Sequence, residues 1–488
     1  MREIRRRWAW CLALAIAFAV VLFFDRLSAQ TTPGQPAPAQ TPGQPAPAQM
    51  VAVAPVDEIV PRLLSGPGGG VLRLWQSWID FRTGGGGVFL AAATPPDAWK
   101  RLLEIVPREP GVNTVDPDVA VGPGKDIALA YQWRRHAPRT KQIRIASSAD
   151  GGTTWTQFPT AVETSGKGFT PKLAWGRGRT LVVVWMDERR AEKAWDVYAR
   201  RSSDGGATWE PEQVLSRFAR QTPADLAARP EMLSDGGDRF WAFWIGLRNG
   251  RSRFYVNRSV DGGKTWTEPA EISGASESVF GQRIARSGDR LLMVWQDARI
   301  RRDRIYAVTS DDAGVTWTQP TRVDHIPTDT QFAAGPPSLV LAPDGEALVA
   351  WHDGRNGRDD VFVTRSTDWG RTWASEDIRM DTDEPGTAFS RYPKITRASD
   401  GRLAVVWEDD RGGFEGVYLR VRGVGQTAAW GPEVAVSPSV PRQAKRAPTA
   451  LWAQDGSLYV AWDVWDFAGD PSHPRRHIDG KVLFPDKK

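Results

Sequence analysis

From residue 57 onward, short apolar runs alternate with turns rich in glycine and aspartate. Leu181–Trp185 and Leu403–Trp407 are typical of these runs, and both end in tryptophan. Runs of this length, bounded by turn residues and rich in β-branched and aromatic side chains, are typical of buried β-strands. No segment shows the 3.6-residue apolar period of an amphipathic helix. The pattern predicts an all-β fold.

A motif of the form Ser-x-Asp-x-Gly-x-Thr-Trp recurs five times at nearly constant spacing. The period is about 55 residues, which has room for four short strands, the unit of a propeller blade. The five copies are SADGGTTW (148–155), SSDGGATW (202–209), SVDGGKTW (259–266), SDDAGVTW (310–317) and STDWGRTW (366–373).

An aromatic residue assigned to the second strand of each unit extends the count to eight copies, namely Trp78, Tyr131, Trp185, Trp244, Trp295, Trp351, Trp407 and Trp462. In most copies a proline precedes this aromatic at one fixed spacing, as Pro171 precedes Trp185. Gly281 takes that place before Trp295, and Pro61 lies slightly farther ahead of Trp78. An isolated sheet leaves both faces exposed, so the units must pack around an axis. We predict a β-propeller of eight four-stranded blades over residues 51–488, with seven or six blades as alternatives.

The ends of the chain suggest export and a closure for the ring. Residues 1–29 combine four early arginines, a long apolar run at 8–24 and small residues, the pattern of a signal peptide or signal anchor. Residues 30–50 contain the tandem repeat TPGQPAPAQ, which predicts an extended Pro-rich linker. We expect an extracytoplasmic protein, periplasmic or secreted, with a possible membrane tether at residues 8–24. The last copy lacks a fourth strand, and Val51–Val56 is expected to supply it.

Composition and charge exclude several classes of function. The net charge of +5 belongs mostly to residues 1–29, which carry five of the 63 basic and two of the 58 acidic residues. The remaining chain is nearly balanced in charge and has no basic tract interleaved with aromatic residues, so nucleic acid is not an expected partner. The single cysteine, Cys11, lies in the leader and can form neither a disulfide framework nor a thiolate metal site. Asp381 and Asp383 lie in a loop that lacks the later ligands of a calcium site. We expect no cofactor and no metal.

The five Ser-x-Asp-x-Gly-x-Thr-Trp motifs resemble the Asp box of the sialidase, or BNR-repeat, superfamily. The resemblance implies that the box is a structural turn between strands three and four, on the face away from the ligand. Because strands alternate in direction, the turn between strands two and three lies on the opposite, working face. That turn follows a Trp-x-Asp-x-Arg pattern, which we interpret as repeated ion pairs between blades; the alternative is a ring of charged groups around the axial pocket. The pairs are Asp80/Arg82, Asp187/Arg189, Asp297/Arg299, Asp353/Arg355 and Asp409/Arg411.

The resemblance also implies an arginine cluster for a carboxylate, an acid/base residue, and a tyrosine with a glutamate as nucleophile. The Arg-x-Pro motif of the family is matched at FSRYP (389–393) by Arg391 and at KRAP (445–448) by Arg446. Glu408, Asp409, Asp410 and Glu415 follow the next strand, and the candidate acid/base residues are Asp409, Asp410 and Glu415.

No tyrosine stands out as the nucleophile, because four of the seven occupy one repeat position where another copy has Phe362. A phenylalanine at that position shows that the hydroxyl is dispensable there. We therefore predict a propeller that binds a carbohydrate or a cell-envelope protein on its working face. The alternative is a sialidase-type glycoside hydrolase that acts on an anionic sugar.

Overall fold

The computed structural model describes residues 57–66, 70–78, 87–94, 97–107, 109–135, 140–158, 162–191, 194–217, 225–300, 302–328, 332–469 and 475–484. These residues form 31 strands, β1–β31, and no helix. Eight antiparallel sheets result, seven with four strands and one with three. In each sheet the strands are neighbours in chain order, as in a propeller blade. The predicted fold and the count of eight blades are confirmed. The expected leader, linker and closing segment Val51–Val56 lie outside the described residues.

The first four blades run from Asp57 to Glu271. Blade 1 contains β1 (Asp57–Ser65), β2 (Val71–Trp78), β3 (Val88–Thr94) and β4 (Asp97–Val106). Blade 2 contains β5 (Val112–Val121), β6 (Ile127–Arg135), β7 (Thr140–Ser148) and β8 (Thr156–Phe158). Blade 3 contains β9 (Gly168–Trp175), β10 (Leu181–Ala191), β11 (Ala194–Ser202) and β12 (Gln213–Val214). Blade 4 contains β13 (Leu226–Ser234), β14 (Phe240–Arg248), β15 (Arg251–Ser259) and β16 (Ala270–Glu271).

The other four blades run from Val279 to Leu483. Blade 5 contains β17 (Val279–Ser287), β18 (Arg290–Asp297), β19 (Arg304–Ser310) and β20 (Thr321–Arg322). Blade 6 contains β21 (Ser338–Leu341), β22 (Ala347–Asp353), β23 (Asp360–Ser366) and β24 (Ile378–Arg379). Blade 7 contains β25 (Ser390–Arg397), β26 (Leu403–Asp409), β27 (Gly416–Arg422) and β28 (Val434–Ser437). Blade 8 contains β29 (Gln443–Trp452), β30 (Leu458–Asp466) and β31 (Arg475–Leu483).

The ring closes by packing between the first and last blades. Strand β1 contacts β29, β30 and β31, and Val71 of blade 1 packs in one apolar cluster with Ala453 and Tyr459 of blade 8. Such apolar clusters also join neighbouring blades elsewhere in the ring, for example between blades 4 and 5. Burial between sheets therefore holds the ring together, at roughly 25 cal/mol per Å² of apolar surface removed from water. Among the residues described, no helix is long and apolar enough to cross a membrane.

Each Asp box forms the tight turn that its residues predict. In blade 4, Thr265 donates from its amide and its hydroxyl to the two carboxylate oxygens of Asp261, at 3.0 and 2.6 Å. The Ser259 hydroxyl donates to Asp261 at 2.8 Å and accepts from the amide of Gly263 at 2.8 Å. Gly263 has a φ of 85°, a conformation that side chains with a Cβ resist. The closing Trp266 packs against a cluster that combines blades 3 and 4.

The second-strand aromatics are core residues, and blade 1 requires a correction. Trp185, Trp244, Trp295, Trp351 and Trp407 are fully buried. In blade 1 the equivalent residue is Trp75 rather than Trp78, because Trp75 lies opposite the bulge in β1 and stacks on Phe89 at 5.7 Å. With Trp75 as the aromatic, Pro61 has the same spacing ahead of it as the proline in most other copies. The predicted Asp80/Arg82 pair was counted from Trp78, which is not the equivalent tryptophan. Both residues of the pair lie outside the described part of the chain.

A β-bulge interrupts the first strand of seven blades at the position of the repeated proline. The residue before the proline has a positive φ in five of them, namely Asp116, Thr170, Arg229, Tyr392 and Ala447. In blade 5 the bulge contains Gly281, with a φ of 67°, and Gln282. Gly281 therefore corresponds to the residue before the proline and not, as the spacing suggested, to the proline itself. A bulge re-aims the side chains that the strand presents, here those around the axis.

Candidate functional site

The axis of the propeller is surrounded by one residue from each first strand, the residue that follows the repeated proline or its equivalent. We call these eight residues the axial ring. In blade order they are Arg62, Asp118, Lys172, Glu231, Arg283, Ser338, Lys394 and Thr449. Over blades 1 to 5 the charge alternates in sign.

Ion pairs connect neighbouring members of the axial ring. Arg62 lies 2.8 Å from Asp118, and Lys172 lies 3.8 Å from Asp118 and 3.3 Å from Glu231. Each of these pairs joins two blades. The pairs are partly exposed, so each contributes at most about 1 kcal/mol to stability. They fix the orientation of the side chains at the axis more than they hold the blades together.

A cavity of about 380 Å³ opens among the first strands of blades 3 to 5 and the start of blade 6. Its volume lies in the range of small-molecule sites. Phe280 and Pro336 supply apolar surface, and the other side chains are mostly polar. The polar lining residues are Thr170, Lys172, Arg229, Glu231, Gln282, Arg283 and Gln296.

Cations outnumber their carboxylate partners around this cavity. Arg229 is exposed toward the cavity and makes no ion pair with any carboxylate of the described residues, and the surrounding protein lowers the pKa of its guanidinium. Burial also lowers the pKa of Arg283, against the opposing effect of Glu231. Burial and the nearby Arg283 lower the pKa of Lys394 to about 8. A concave site with more cations than carboxylates has a positive potential, so this arrangement favours a bound anion.

Blade 2 supplies the acidic side of the axis. Asp118 is already paired with Arg62 and Lys172, and burial raises the pKa of Asp116 despite the nearby cations. A raised pKa shifts Asp116 toward its neutral form. The acids therefore do not neutralise the cations of blades 4, 5 and 7, and the electrostatic field at the cavity favours anions.

The Trp-x-Asp-x-Arg motifs form a clamp within each blade. In blade 7, Asp409 accepts from the hydroxyl of Ser390 at 2.6 Å and from the amide and guanidinium of Arg411 at 2.9 and 2.6 Å. Arg411 also pairs with Glu433 at 2.7 Å and lies over the ring of Tyr418. The same contacts with the arginine recur at Asp187, Asp297 and Asp353. The prediction that these ion pairs join blades is wrong, because both charges belong to one blade.

The structure places the five candidate residues in different surroundings. Asp409 is fully buried inside its clamp, and Asp410 accepts from the amide of Phe389 at 2.8 Å in the adjoining loop. Arg391 pairs with Asp359, and Arg446 pairs with Glu415 at 2.8 Å. Both arginines thus already have carboxylate partners, whereas Arg229 does not. We leave Asp409 and Asp410 out of the proposed site because both serve the local fold.

Arg391, Arg446 and Glu415 come together around Glu408, at the junction of blades 7 and 8. Glu408 accepts from the amide of Ala447 at 2.8 Å and interacts electrostatically with the other three residues. Burial, with a smaller contribution from Glu415, raises its pKa to about 7. Nearby, Tyr392 has 47% of its surface exposed and packs edge-on against His352 at 5.2 Å.

One group of carboxylates in the described residues is compact enough to hold a metal ion: Asp360, Asp381 and Asp383. Arg379 pairs with all three of them. Asp381 also accepts from the amide of Val361 at 2.7 Å, the role that Asp324 has in blade 5. The group is a structural cluster held around one guanidinium, and we assign no metal to it.

Sequence reasoning missed Arg229, Arg283 and Lys394 as an axial cation set. A signal was present for Arg283, because the residue after the repeated proline or its equivalent alternates in charge over blades 1 to 5. Its meaning depended on knowing that the first strand is innermost, which places these residues around one axis.

Comparison with known proteins agrees with the repeat. Residues 82–294 match the family described as BNR repeat-like domain. No curated protein matches the sequence. Among solved structures, a Hadza microbial sialidase is 16% identical over 68% of this chain and 71% of its own, with a TM-score of 0.37. The α-L-arabinanase of Penicillium chrysogenum is 16% identical over 76% and 93%, with a TM-score of 0.39. A PL25 ulvan lyase is 11% identical over 76% and 95%, with a TM-score of 0.46.

These structural similarities are too low to carry an argument about a reaction. The family match rests instead on the Asp-box repeat, whose turns, blade order and blade number the structure describes. The chain is therefore an eight-bladed β-propeller whose repeats are similar to the BNR repeat-like domain over residues 82–294.

Proposed function

We propose that this protein binds an acidic, carboxylate-bearing carbohydrate in its axial cavity. The observation that carries the proposal is the excess of cations at this cavity. Within the described residues Arg229 makes no ion pair with a carboxylate, Arg283 has one nearby acid, Glu231, and Lys394 stands close to Arg283 beside the lining. A guanidinium binds a carboxylate through two parallel hydrogen bonds, which gives both energy and orientation.

The rest of the lining suits a sugar ring. Gln282, Gln296 and Thr170 offer amide and hydroxyl groups for sugar hydroxyls, and Phe280 offers an apolar surface. Gln282 and Gln296 are themselves held by the backbone carbonyls of Arg229 and Ala334, at 3.1 and 2.7 Å. Polar groups fixed in this way lose little entropy when a ligand binds. A concave site of this size favours a small saccharide, or the end of a longer one, over a protein surface.

The cellular setting is a second part of the proposal. The basic and apolar pattern of residues 1–29 supports export, and the absence of cysteine beyond Cys11 is compatible with an oxidising compartment. We place the protein outside the cytoplasm, with residues 8–24 either removed or retained as a tether. There it would meet cell-surface or environmental polysaccharides.

Calorimetry with matched sugars tests the binding proposal. Glucuronate and N-acetylneuraminate are expected to bind, and glucose, which lacks the carboxylate, is expected to bind far more weakly. The double variant Arg229→Gln/Arg283→Gln should lose affinity by about 100-fold, since each charge-assisted hydrogen bond contributes about 1.5 kcal/mol. Arg177→Gln is the control, because Arg177 is exposed and pairs with Asp238 in a turn on the Asp-box face.

Equal affinity for glucose and glucuronate would contradict the proposal. So would binding of the acidic sugars that the double variant leaves unchanged. If no carbohydrate binds but a purified cell-envelope protein binds to the working face, the ligand is a protein, which is the other predicted partner, and not a sugar.

A further inference from the structure

The residue before the repeated proline, or its equivalent, forms a second series of positions around the axis. From blade 3 to blade 8 these residues are Thr170, Arg229, Gly281, Pro336, Tyr392 and Ala447. The first four of them line the axial cavity. The first strand of blade 7 packs against that of blade 6, so Tyr392 is the next member of the series after Pro336. Tyr392 therefore stands at the rim of the cavity, one blade beyond its lining.

The fold does not require a large side chain at this position. Gly281 and Ala447 occupy it in blades 5 and 8, and Ala447 has nearly the same φ as Tyr392, 49° against 51°. Packing does not explain the tyrosine ring either, because 47% of the surface of Tyr392 is exposed. A strained backbone position that holds an open aromatic side chain beside a cavity is typical of a ligand contact.

His352 of blade 6 holds Tyr392 in place. Its ring packs edge-on against the tyrosine ring at 5.2 Å, and its Nδ1 accepts from the amide of Tyr392 at 3.3 Å. Burial lowers the pKa of His352 to about 4, so the imidazole is neutral near pH 7 and can accept this hydrogen bond. His352 lies against the backbone of Gly335, where an added Cβ would be 2.1 Å from its Cε1. An aromatic ring that is fixed before the ligand arrives loses little entropy on binding.

Arg229 and Tyr392 stand on either side of a gap in this series. Gly281 has no side chain and Pro336 has a short one, so the space over blades 5 and 6 is open between the two larger residues. Arg229 offers a positive charge to a carboxylate, whereas Tyr392 offers an apolar ring face to the C–H groups of a sugar. Because Tyr392 lies outside the cavity lining, a saccharide in the cavity reaches it only by continuing past its first sugar.

From this placement we propose that Tyr392 is the stacking platform of a second sugar position, and that the ligand is an acidic oligosaccharide of at least two residues. The proposal rests on the proposed binding of a carboxylate-bearing carbohydrate in the axial cavity. The residue with the carboxylate occupies the cavity, and the residue joined to it extends over blade 6 onto the ring of Tyr392. The hydroxyl of Tyr392 is not needed for this contact.

Calorimetry with two pairs of sugars tests the second position. The pairs are glucuronate with glucuronosyl-galactose, and N-acetylneuraminate with sialyllactose, and in each pair the added sugars are neutral. The longer sugar should bind about tenfold more tightly to the wild type, since covering a half-exposed aromatic side chain contributes roughly that factor. Tyr392→Ala should remove this difference and leave the affinity for the single sugar unchanged. Tyr392→Phe should retain the difference, because stacking uses the face of the ring.

Phe484→Ala is the matched control. Phe484 is also 47% exposed, has a φ of 52°, and stacks on another aromatic residue, Trp452, at 6.2 Å. It follows the end of β31 on the Asp-box face, away from the cavity. The variant should leave all four affinities unchanged. The double variant Arg229→Gln/Arg283→Gln should weaken both sugars of a pair by the same factor, because it removes only the contacts with the carboxylate.

Equal affinity of the wild type for the two sugars of each pair would overturn the inference and leave the proposed function intact. So would a preference for the longer sugar that Tyr392→Ala retains. An equal loss for single and longer sugars in Tyr392→Ala would also overturn it, because Tyr392 would then act on the first sugar. If no sugar of either pair binds, the proposed function fails and the second sugar position fails with it.

Discussion

At the residue scale, the chemistry of the axis depends on which side chain occupies a backbone position that nearly every blade repeats. Asp116, Thr170, Arg229, Tyr392 and Ala447 share one bulge conformation, with φ between 47° and 51°. A positive φ is uncommon for residues other than glycine and costs on the order of 1 kcal/mol or more. The fold supplies the strained position in each blade, and the sequence decides whether it presents a cation, an acid, an aromatic ring or a methyl group.

The charge of Lys394 should make the proposed anion binding depend on pH. Its pKa in the folded protein is lowered to about 8, so the cation is present at pH 7 and is lost as pH rises through that value. We expect the affinity for glucuronate to fall about tenfold between pH 7 and 9.5, the loss of one charge-assisted hydrogen bond. Calorimetry at both pH values measures this change.

Lys394→Arg provides the matched control, because arginine keeps its charge over this range. The variant should bind with nearly constant affinity between the two pH values. A wild-type affinity that does not change with pH would show that Lys394 takes no part in binding.

At the element scale, three features define the first strand of a blade: the repeated proline, the apolar run after it, and the β-bulge. The repeated proline and the apolar run after it are visible in the sequence, and they locate the strand correctly in seven blades. The bulge is hidden, since two residues opposite one produce no change in composition. The hidden bulge explains the wrong prediction at Gly281, whereas the wrong prediction at Trp78 has another cause, because two tryptophans stand three residues apart in β2. In both cases a small shift along the strand changed which side chain reaches the core or the axis.

Gly281→Ala tests the bulge of blade 5. Gly281 has a φ of 67°, and a Cβ at this position would lie 2.6 Å from Oε1 of Gln296, a cavity residue. We expect the free energy of unfolding to fall by about 2–3 kcal/mol, from strain at positive φ and from the displaced Gln296. Urea unfolding of the purified variant measures the change.

Gly288→Ala separates the two causes. Gly288 has a φ of 60° but no heavy atom within 4 Å of the added Cβ, so only the backbone strain of about 1 kcal/mol remains. Equal losses in the two variants would mean that the contact with Gln296 has no energetic weight and that the bulge is looser than described.

At the scale of the whole molecule, the repeat predicted the architecture well and the site poorly. The spacing of the Asp boxes and of the aromatics gave eight blades, because each unit must bury its faces against its neighbours. The site arises only when the first strands meet around the axis, since Arg229 and Lys394 belong to blades 4 and 7 and are distant in the chain. The predicted arginines, Arg391 and Arg446, were found through a motif, but the structure gives each of them an acid partner.

Closure of the ring explains why the site needs all the blades. The cations come from blades 4, 5 and 7. The acids come from blades 2 and 4, and they are too few to balance the charge of the cations. Contacts of β1 with blade 8 complete the circle that keeps these side chains at fixed positions. Loss of a terminal blade should therefore remove the site even though Arg229, Arg283 and Lys394 are all kept.

A crystal structure of the protein with glucuronate bound tests the central claim most directly. The account predicts the sugar in the axial cavity, with its carboxylate within about 3 Å of the guanidinium groups of Arg229 and Arg283, the usual length of a charge-assisted hydrogen bond. A sugar bound on the Asp-box face, or one in the cavity with its carboxylate turned away from both arginines, would contradict it.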